Sequence, residues 1–201
     1  VHTEKLQLSL METIEIARRL CELRDPYTAG HEKKVGDLAR AIGTEMGLDS
    51  VEQEALMIAG YLHDIGKIVV PVETLCKPGN ISPEEYNLVK THVQASHGLL
   101  KDVSFPWPIA RAVQEHHERM DGSGYPAQKK GNEISLNGRI LAVADVVDAM
   151  SSHRPYRAAL GIDRALAEIE RGRGTLYDAT VVDACVTVFR ENAYELGSGL
   201  P

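Results

Sequence analysis

Apolar residues recur at helical steps along most of this chain. In 4–24, Leu6, Leu10, Ile14, Ala17 and Cys21 fall three or four apart, with no Gly or Pro between them. A helix is predicted there, stopped at Arg24-Asp25-Pro26 because Pro26 disfavours helical angles at Asp25. Val35, Leu38, Ala39, Ile42 and Met46 predict a second helix over 29–46, with Gly47 as its C-cap. Val51, Ala55, Ile58 and Leu62 predict a third over 50–65, followed by a short extended piece at 68–71 (IVVP). Ser82-Pro83-Glu84-Glu85 combines an N-cap, a Pro at the first helical position and a capping-box Glu. That helix runs past His92 towards Leu100. Another is predicted over 106–118, and the Gly-, Asn- and Pro-dense run 119–137 is loop. The apolar run 138–150 fits a buried strand or a buried helix by periodicity alone. We read it as helix, because Met, Ala and Leu are frequent and almost no other strand exists to pair with it. Helices over 163–172 and 178–192 follow, with Asp163 and Asp178 as N-caps.

With 201 residues the chain makes one domain plus a short extra element. Hydrophobic residues are 43% and charged residues 25%, which excludes disordered and collagen-like chains. Aromatics are only 5%, so the core is aliphatic and an all-α bundle with little or no sheet is expected. The net charge of −7 argues against a general DNA or RNA binder, although a few converging cations still suit a small phosphorylated ligand. Cys21, Cys76 and Cys185 are far apart and form no CxxC, which points to a reducing, cytoplasmic compartment. No apolar run reaches a membrane span and no signal peptide is visible. The start at Val1 reads as a fragment of something longer, and leaves an upstream membrane segment open.

Five of the eight histidines sit beside a carboxylate, beside one another or at a helix end: His31, His63-Asp64, His92 and His116-His117. Imidazole with carboxylate suits Zn, Fe, Mn or Ni. Neighbours on a helix point about 100° apart. Adjacent pairs are therefore expected to serve two metals, with Asp64 bridging, rather than share one. Each residue also has a plainer reading. His31 suits a surface or hydrogen-bonded place, Asp64 a tautomer-fixing partner, and His116-His117-Glu118 a solvated face. Asp145, inside LAVADVV, suits a structural acceptor. Their coincidence favours a multinuclear centre.

His63-Asp64-Ile65-Gly66-Lys67 resembles the HDIGK core of the HD phosphohydrolase superfamily. The stretch from His116 to Pro126 resembles the HHExxDGxGYP signature of its HD-GYP subgroup. RDPYTAGH (24–31), KPGNISPEE (77–85), RILAVADVVDAM (139–150) and RPYR (154–157) fall in order around them. The resemblance spans about residues 20–190. It implies an all-helical hydrolase of cyclic di-GMP, giving pGpG or GMP in bacterial second-messenger signalling. Two divalent ions are implied, Fe or Mn first, with Ni, Co or Zn also able to serve. The implied ligands are His31, His63, Asp64, His92, His116, His117 and Asp145. Asp64 and Lys67 are implied in catalysis. Lys67, Tyr125, Asp148, Arg154 and Arg157 are implied at the ligand pocket or its support. Tyr27 stands where some members carry a Glu for a third metal, so two are expected. Asp121 is read as a cap of the GYP loop, and Gly122 and Gly124 as supplying backbone angles other residues resist. The loop AQKKGNEI departs from the more usual run. The organisation implied is a connecting helix at 1–24, the catalytic domain at 25–195 and a tail at 196–201. The helix either pairs with its copy in a homodimer or packs on its own domain, and an upstream sensor or receiver is expected. Two other functions stay open: a degenerate module that binds a nucleotide or protein, and an HD nucleotide phosphohydrolase of other specificity.

Overall fold

The structure, a computed structural model, describes residues 2–25, 28–105, 107–152 and 160–197. Among these it is helical throughout, with an isolated bridge between Arg173 and Tyr177 in place of a sheet. The helices are α1 (His2–Arg24), α2 (His31–Glu45), α3 (Ser50–Leu62), α4 (Val72–Leu75), α5 (Pro83–Leu100), α6 (Ile109–Glu115), α7 (Leu136–Ser151), α8 (Ile162–Arg171) and α9 (Ala179–Arg190). Short 3-10 turns occupy Ile65–Val69 and Gly131–Glu133.

The apolar run that fits either strand or helix is the central helix α7. Its Ile140, Leu141, Val143, Ala144 and Val147 are all fully buried. A helix apolar on nearly every side belongs in the middle of a bundle, and α2, α3, α6, α8 and α9 pack around it. Gly36 of α2 and Gly60 of α3 let those two backbones touch: a Cβ on Gly60 would lie 2.4 Å from the Gly36 Cα.

Local signals hold at several ends. Ser82 and Glu85 form the expected capping box with Pro83 in the first turn, and Asp178 caps α9. Other ends differ. Gly161, not Asp163, occupies the N-cap of α8, and α6 is confined to Ile109–Glu115. The third helix stops at Leu62, and of the expected extended piece 68–71 the first half, Ile68 and Val69, lies in the 3-10 turn Ile65–Val69, whereas Val70 and Pro71 are extended. The tight pitch of that turn has a purpose. Residues three apart eclipse in a 3-10 turn, which stacks Lys67 over Asp64.

In α1, Ile14 is buried in the core, and Met11 and Ala17 pack against it. Part of the predicted stripe thus meets its own domain, against α3 and the turn Ile65–Val69. Leu8, Ile16, Leu20 and Leu23 are exposed. No described helix is long and apolar enough to cross a membrane.

Candidate metal centre

The site is assembled where helices begin and end. His31 opens α2, after Gly30 at φ 77°. His63 is the C-cap of α3, and Asp64 (φ −101°, ψ 8°) has already left the helix. His92 projects from the middle of α5, and His116 caps the C-terminus of α6 with His117 just beyond. Asp145 and Asp148 lie three residues apart on α7, on one face.

These residues converge. Ligand atoms of His31, His63 and Asp64 lie within 4.8 Å of one another, as do those of His92, His116 and His117. The adjacent pairs, expected to serve two metals rather than share one, each contribute both members to one of these groups, while His63, His116 and Asp145 form a further group that takes one member from each pair. The argument from 100° spacing needs a continuing helix, and both pairs stand where one stops.

Two carboxylates join the triads. Asp64 Oδ2 lies 3.4 Å from His63 Nε2, while its Oδ1 lies 3.2 Å from His92 Nε2. Asp145 Oδ1 lies 3.2 Å from His31 Nε2, and its Oδ2 3.9 Å from His117 Nδ1. Each carboxylate turns one oxygen to each triad. The Lys67 ammonium sits 2.7 Å from Asp64 Oδ2 and 3.6 Å from Asp25 Oδ2.

Hydrogen bonds decide which nitrogen each imidazole presents. His63 Nδ1 donates to Gly60 O (2.6 Å), His92 Nδ1 to Val89 O (2.6 Å) and His116 Nδ1 to Val113 O (2.5 Å). A carbonyl only accepts, so Nδ1 carries the proton and Nε2 a lone pair. All three Nε2 atoms are buried without a hydrogen-bond partner. Buried lone pairs aimed at one spot, beside buried carboxylates, form a donor set that fits divalent cations. The protonation states agree. Burial, with His63 and His92 beside it, pushes the His116 imidazole down to about 3. Burial and the neighbouring His116 hold the His117 imidazole well below its usual range. Burial raises the Asp64 carboxyl, but Lys67, His63 and His92 outweigh it and hold it well below its usual range. For Asp145, His31, His63 and His117 likewise outweigh burial. Neutral imidazoles, as at His116 and His117, and ionised carboxylates, as at Asp64 and Asp145, are ligand forms metals require.

Asp148, expected at the ligand pocket or its support, is fully buried and takes the supporting place. Its Oδ2 lies 2.6 Å from His31 Nδ1, which turns the His31 Nε2 towards Asp145. Tyr125 reaches the cavity and stacks on His117, ring centroids 4.7 Å apart. Tyr27, Arg154 and Arg157 lie outside the described residues. The cavity in front of the triads holds about 420 Å³ and is walled by Lys67, Tyr86, Arg119, Tyr125 and Met150.

Some supporting residues escape the sequence reading. Gly66 packs its Cα on α5, where a Cβ would lie 2.1 Å from His92 O. Ser96 stitches that contact. Its hydroxyl accepts from Gly66 N (2.8 Å) and donates to His63 O (3.0 Å). The signal is that Ser96 lies one turn after His92, on the same face. Glu118 is buried and accepts from Ala127 N (2.7 Å) and Lys129 N (3.0 Å), folding the loop after Tyr125 back on itself. Asp121 caps the loop as expected, accepting from Ser123 N at 2.9 Å. Gly122 has φ 85°, but Gly124 is needed for space: a Cβ there would lie 2.5 Å from His117 O.

A helical bundle that gathers five histidines and two aspartates around one buried point defines a His/Asp metal-type domain. The particular family follows from comparison: the HD domain model matches residues 15–181, and the chain belongs to that family. A cyclic di-GMP phosphodiesterase of Thermotoga maritima is 41% identical over 184 residues, covering 90% of this chain and 50% of that protein. A 3'3'-cGAMP-specific phosphodiesterase of Vibrio cholerae is 39% identical over 160 residues, covering 80% of this chain and 35% of the other. The solved structure of a cyclic GMP-AMP specific phosphodiesterase of V. cholerae is 32% identical, with a TM-score of 0.58. It covers 90% of this chain and 42% of that one. The chain spans half or less of the length of these curated relatives.

Proposed function

We propose that this domain hydrolyses a phosphodiester bond of a cyclic dinucleotide, cyclic di-GMP first, at a centre of two divalent ions. The observation that carries the reading is the set of buried, partnerless Nε2 atoms on His63, His92 and His116 around Asp64, which with His31, His92, His117 and Asp145 lines an open cavity. His31, His63, Asp64, His92, His116, His117 and Asp145 would hold the ions, with Asp64 between them. Fe or Mn suits this nitrogen and oxygen donor set, and Ni, Co or Zn can replace them. Bound divalent ions supply a nucleophilic hydroxide near neutral pH and counter-charge for the phosphoryl oxygens.

The chain's own residues do the rest. Lys67 stands 2.7 Å from Asp64, so one ammonium both steadies the central carboxylate and faces the cavity where phosphate charge builds up. Tyr125, stacked on His117, forms a wall against which substrate is oriented. Arg154 and Arg157 of RPYR are assigned to the far side of the dinucleotide, as planar groups able to grip phosphate or a guanine edge. Asp148 acts only by positioning His31. The wider assignment is a cytoplasmic signalling module with α1 as connecting helix, residues 25–195 as catalytic domain and 196–201 as tail. The greater length of the relatives is compatible with further domains, which we assign to an upstream sensor or receiver. The exposed Leu8, Ile16, Leu20 and Leu23 support pairing of α1 in a homodimer.

The test is anaerobic purification, metal analysis, and assays with cyclic di-GMP, 3'3'-cGAMP and pGpG. The expected result is cleavage of cyclic di-GMP to pGpG or GMP, lost on chelation and restored by Fe(II) or Mn(II). Preference for 3'3'-cGAMP would move the substrate assignment to the second named class. Metal-loaded protein that cleaves no cyclic dinucleotide would overturn the reading in favour of a binding module.

A further inference from the structure

Beyond the metal-type cluster, one wall of the cavity has a chemistry the site described so far does not use. Tyr86 and Lys90 lie four residues apart on α5, hence on one face. Tyr86 lines the cavity and is 47% exposed, unusual for a large aromatic side chain. The Lys90 ammonium stands 5.1 Å from the Tyr86 ring centroid and 5.7 Å from that of Tyr125. Both fall within cation–π range. Among the described residues no Asp or Glu pairs with Lys90. Elsewhere lysines near carboxylates do pair: Lys67 with Asp64, Lys77 with Glu85, Lys129 with Glu115. Lys90 is therefore a half-buried cation held against the faces of two rings that line the cavity, and no described carboxylate compensates its charge.

The series runs outward from the cluster as His117, Tyr125, Lys90, Tyr86. Along α5, Tyr86 precedes His92 by six residues, about 9 Å of helix axis. That is the scale of one nucleotide. We infer that Tyr86 and Lys90 form a second subsite that holds the half of the cyclic dinucleotide not being cleaved: Tyr86 stacks its nucleobase, and Lys90 neutralises its phosphate. The inference rests on the phosphodiesterase reading above. Base stacking on a tyrosine is tolerant of sequence, because every base has a π-face. Such a wall therefore secures a dinucleotide without choosing between guanine and adenine. Discrimination between cyclic di-GMP and 3'3'-cGAMP must come from groups at the base edges.

The test uses metal-loaded protein and a phosphorothioate analogue of cyclic di-GMP that resists hydrolysis, with affinity read by calorimetry. Tyr86→Ala and Lys90→Met are each expected to weaken binding about tenfold, whereas Tyr86→Phe and Lys90→Arg stay within about threefold. KM for cyclic di-GMP should rise by the same factors, with the melting temperature unmoved. The inference is overturned if Tyr86→Ala and Lys90→Met bind like wild type, or if the conservative variants lose as much as the drastic ones. Wild-type protein that binds the analogue yet cleaves no cyclic dinucleotide refutes the phosphodiesterase reading and leaves the subsite standing. Wild-type protein that does neither refutes both.

Discussion

Replacing Gly66 with Ala adds one carbon at the point where the turn carrying Asp64 and Lys67 rests on α5. That carbon would lie 2.1 Å from His92 O, 2.4 Å from Ser96 N and 2.7 Å from Ser96 Oγ. Two of the three are backbone atoms, so no side-chain rotation relieves the clash. A non-bonded carbon and oxygen need about 3.2 Å, so the turn and the helix must separate by about 1 Å. Asp64 Oδ1 and His92 Nε2 are now 3.2 Å apart and sit on the two separating elements. Metal–ligand distances tolerate only about 0.2 Å, so the two triads can no longer be spanned by the Asp64 carboxylate. Overpacking of this kind costs about 1–3 kcal/mol of stability. A reacting group misplaced by 1 Å costs about a hundredfold in rate. Gly66→Ala is therefore expected to stay folded, melt lower, bind at least one ion far more weakly and lose about a hundredfold in kcat/KM. Elemental analysis, thermal melting and the cyclic di-GMP assay read these together. Full metal content with wild-type kcat/KM would refute the reasoning, because it would mean the contact of the turn with α5 does not set the spacing of the triads.

Asp64→Ala should lose bound metal and activity while circular dichroism still reports the helical bundle, and wild-type metal content in this variant would contradict the bridging role. Asp148→Ala removes the partner of His31 Nδ1, together with the acceptor of the Ser152 hydroxyl, and should weaken metal affinity about 10–100-fold, measured by chelator competition. Elemental analysis of wild-type protein should find two ions per chain, and a fully occupied third would contradict the reading of Tyr27. Glu118→Ala frees Ala127 N and Lys129 N and should cost about 1–3 kcal/mol of stability with a raised KM, since the loop carries Tyr125.

Much of the site was legible because its ligands are chemically conspicuous. Five histidines and Asp145 stand out in an apolar, acidic chain, and the motifs fix their order. Helix type was legible wherever one face alone was apolar. What resisted reading were contacts made by ordinary residues at long separation. Nothing local marks Ser96 as the hydroxyl that accepts from Gly66 and donates to His63. The 3-10 turn at Ile65–Val69 contradicts the extended preference of Ile68 and Val69, because stacking Lys67 over Asp64 and seating Gly66 on α5 override local propensity, and extended backbone begins only at Val70. Gly124 reads as a turn residue in sequence, yet its role is to admit the His117 backbone, which only the folded chain reveals.

The three hydrogen bonds that set the histidine tautomers each run to a carbonyl three residues earlier in the same helix. Gly60 O and Val113 O belong to last turns, whose carbonyls lack partners within the helix. A helix end and a metal ligand thus complete each other, and readiness to bind is written into each helix separately. His31 instead borrows its orientation from another helix, through Asp148 on α7. Two kinds of damage should therefore be separable in this domain. Changes in packing alter how far apart the two triads stand while leaving each imidazole armed, whereas a change at Asp148 disarms one imidazole and leaves the spacing intact.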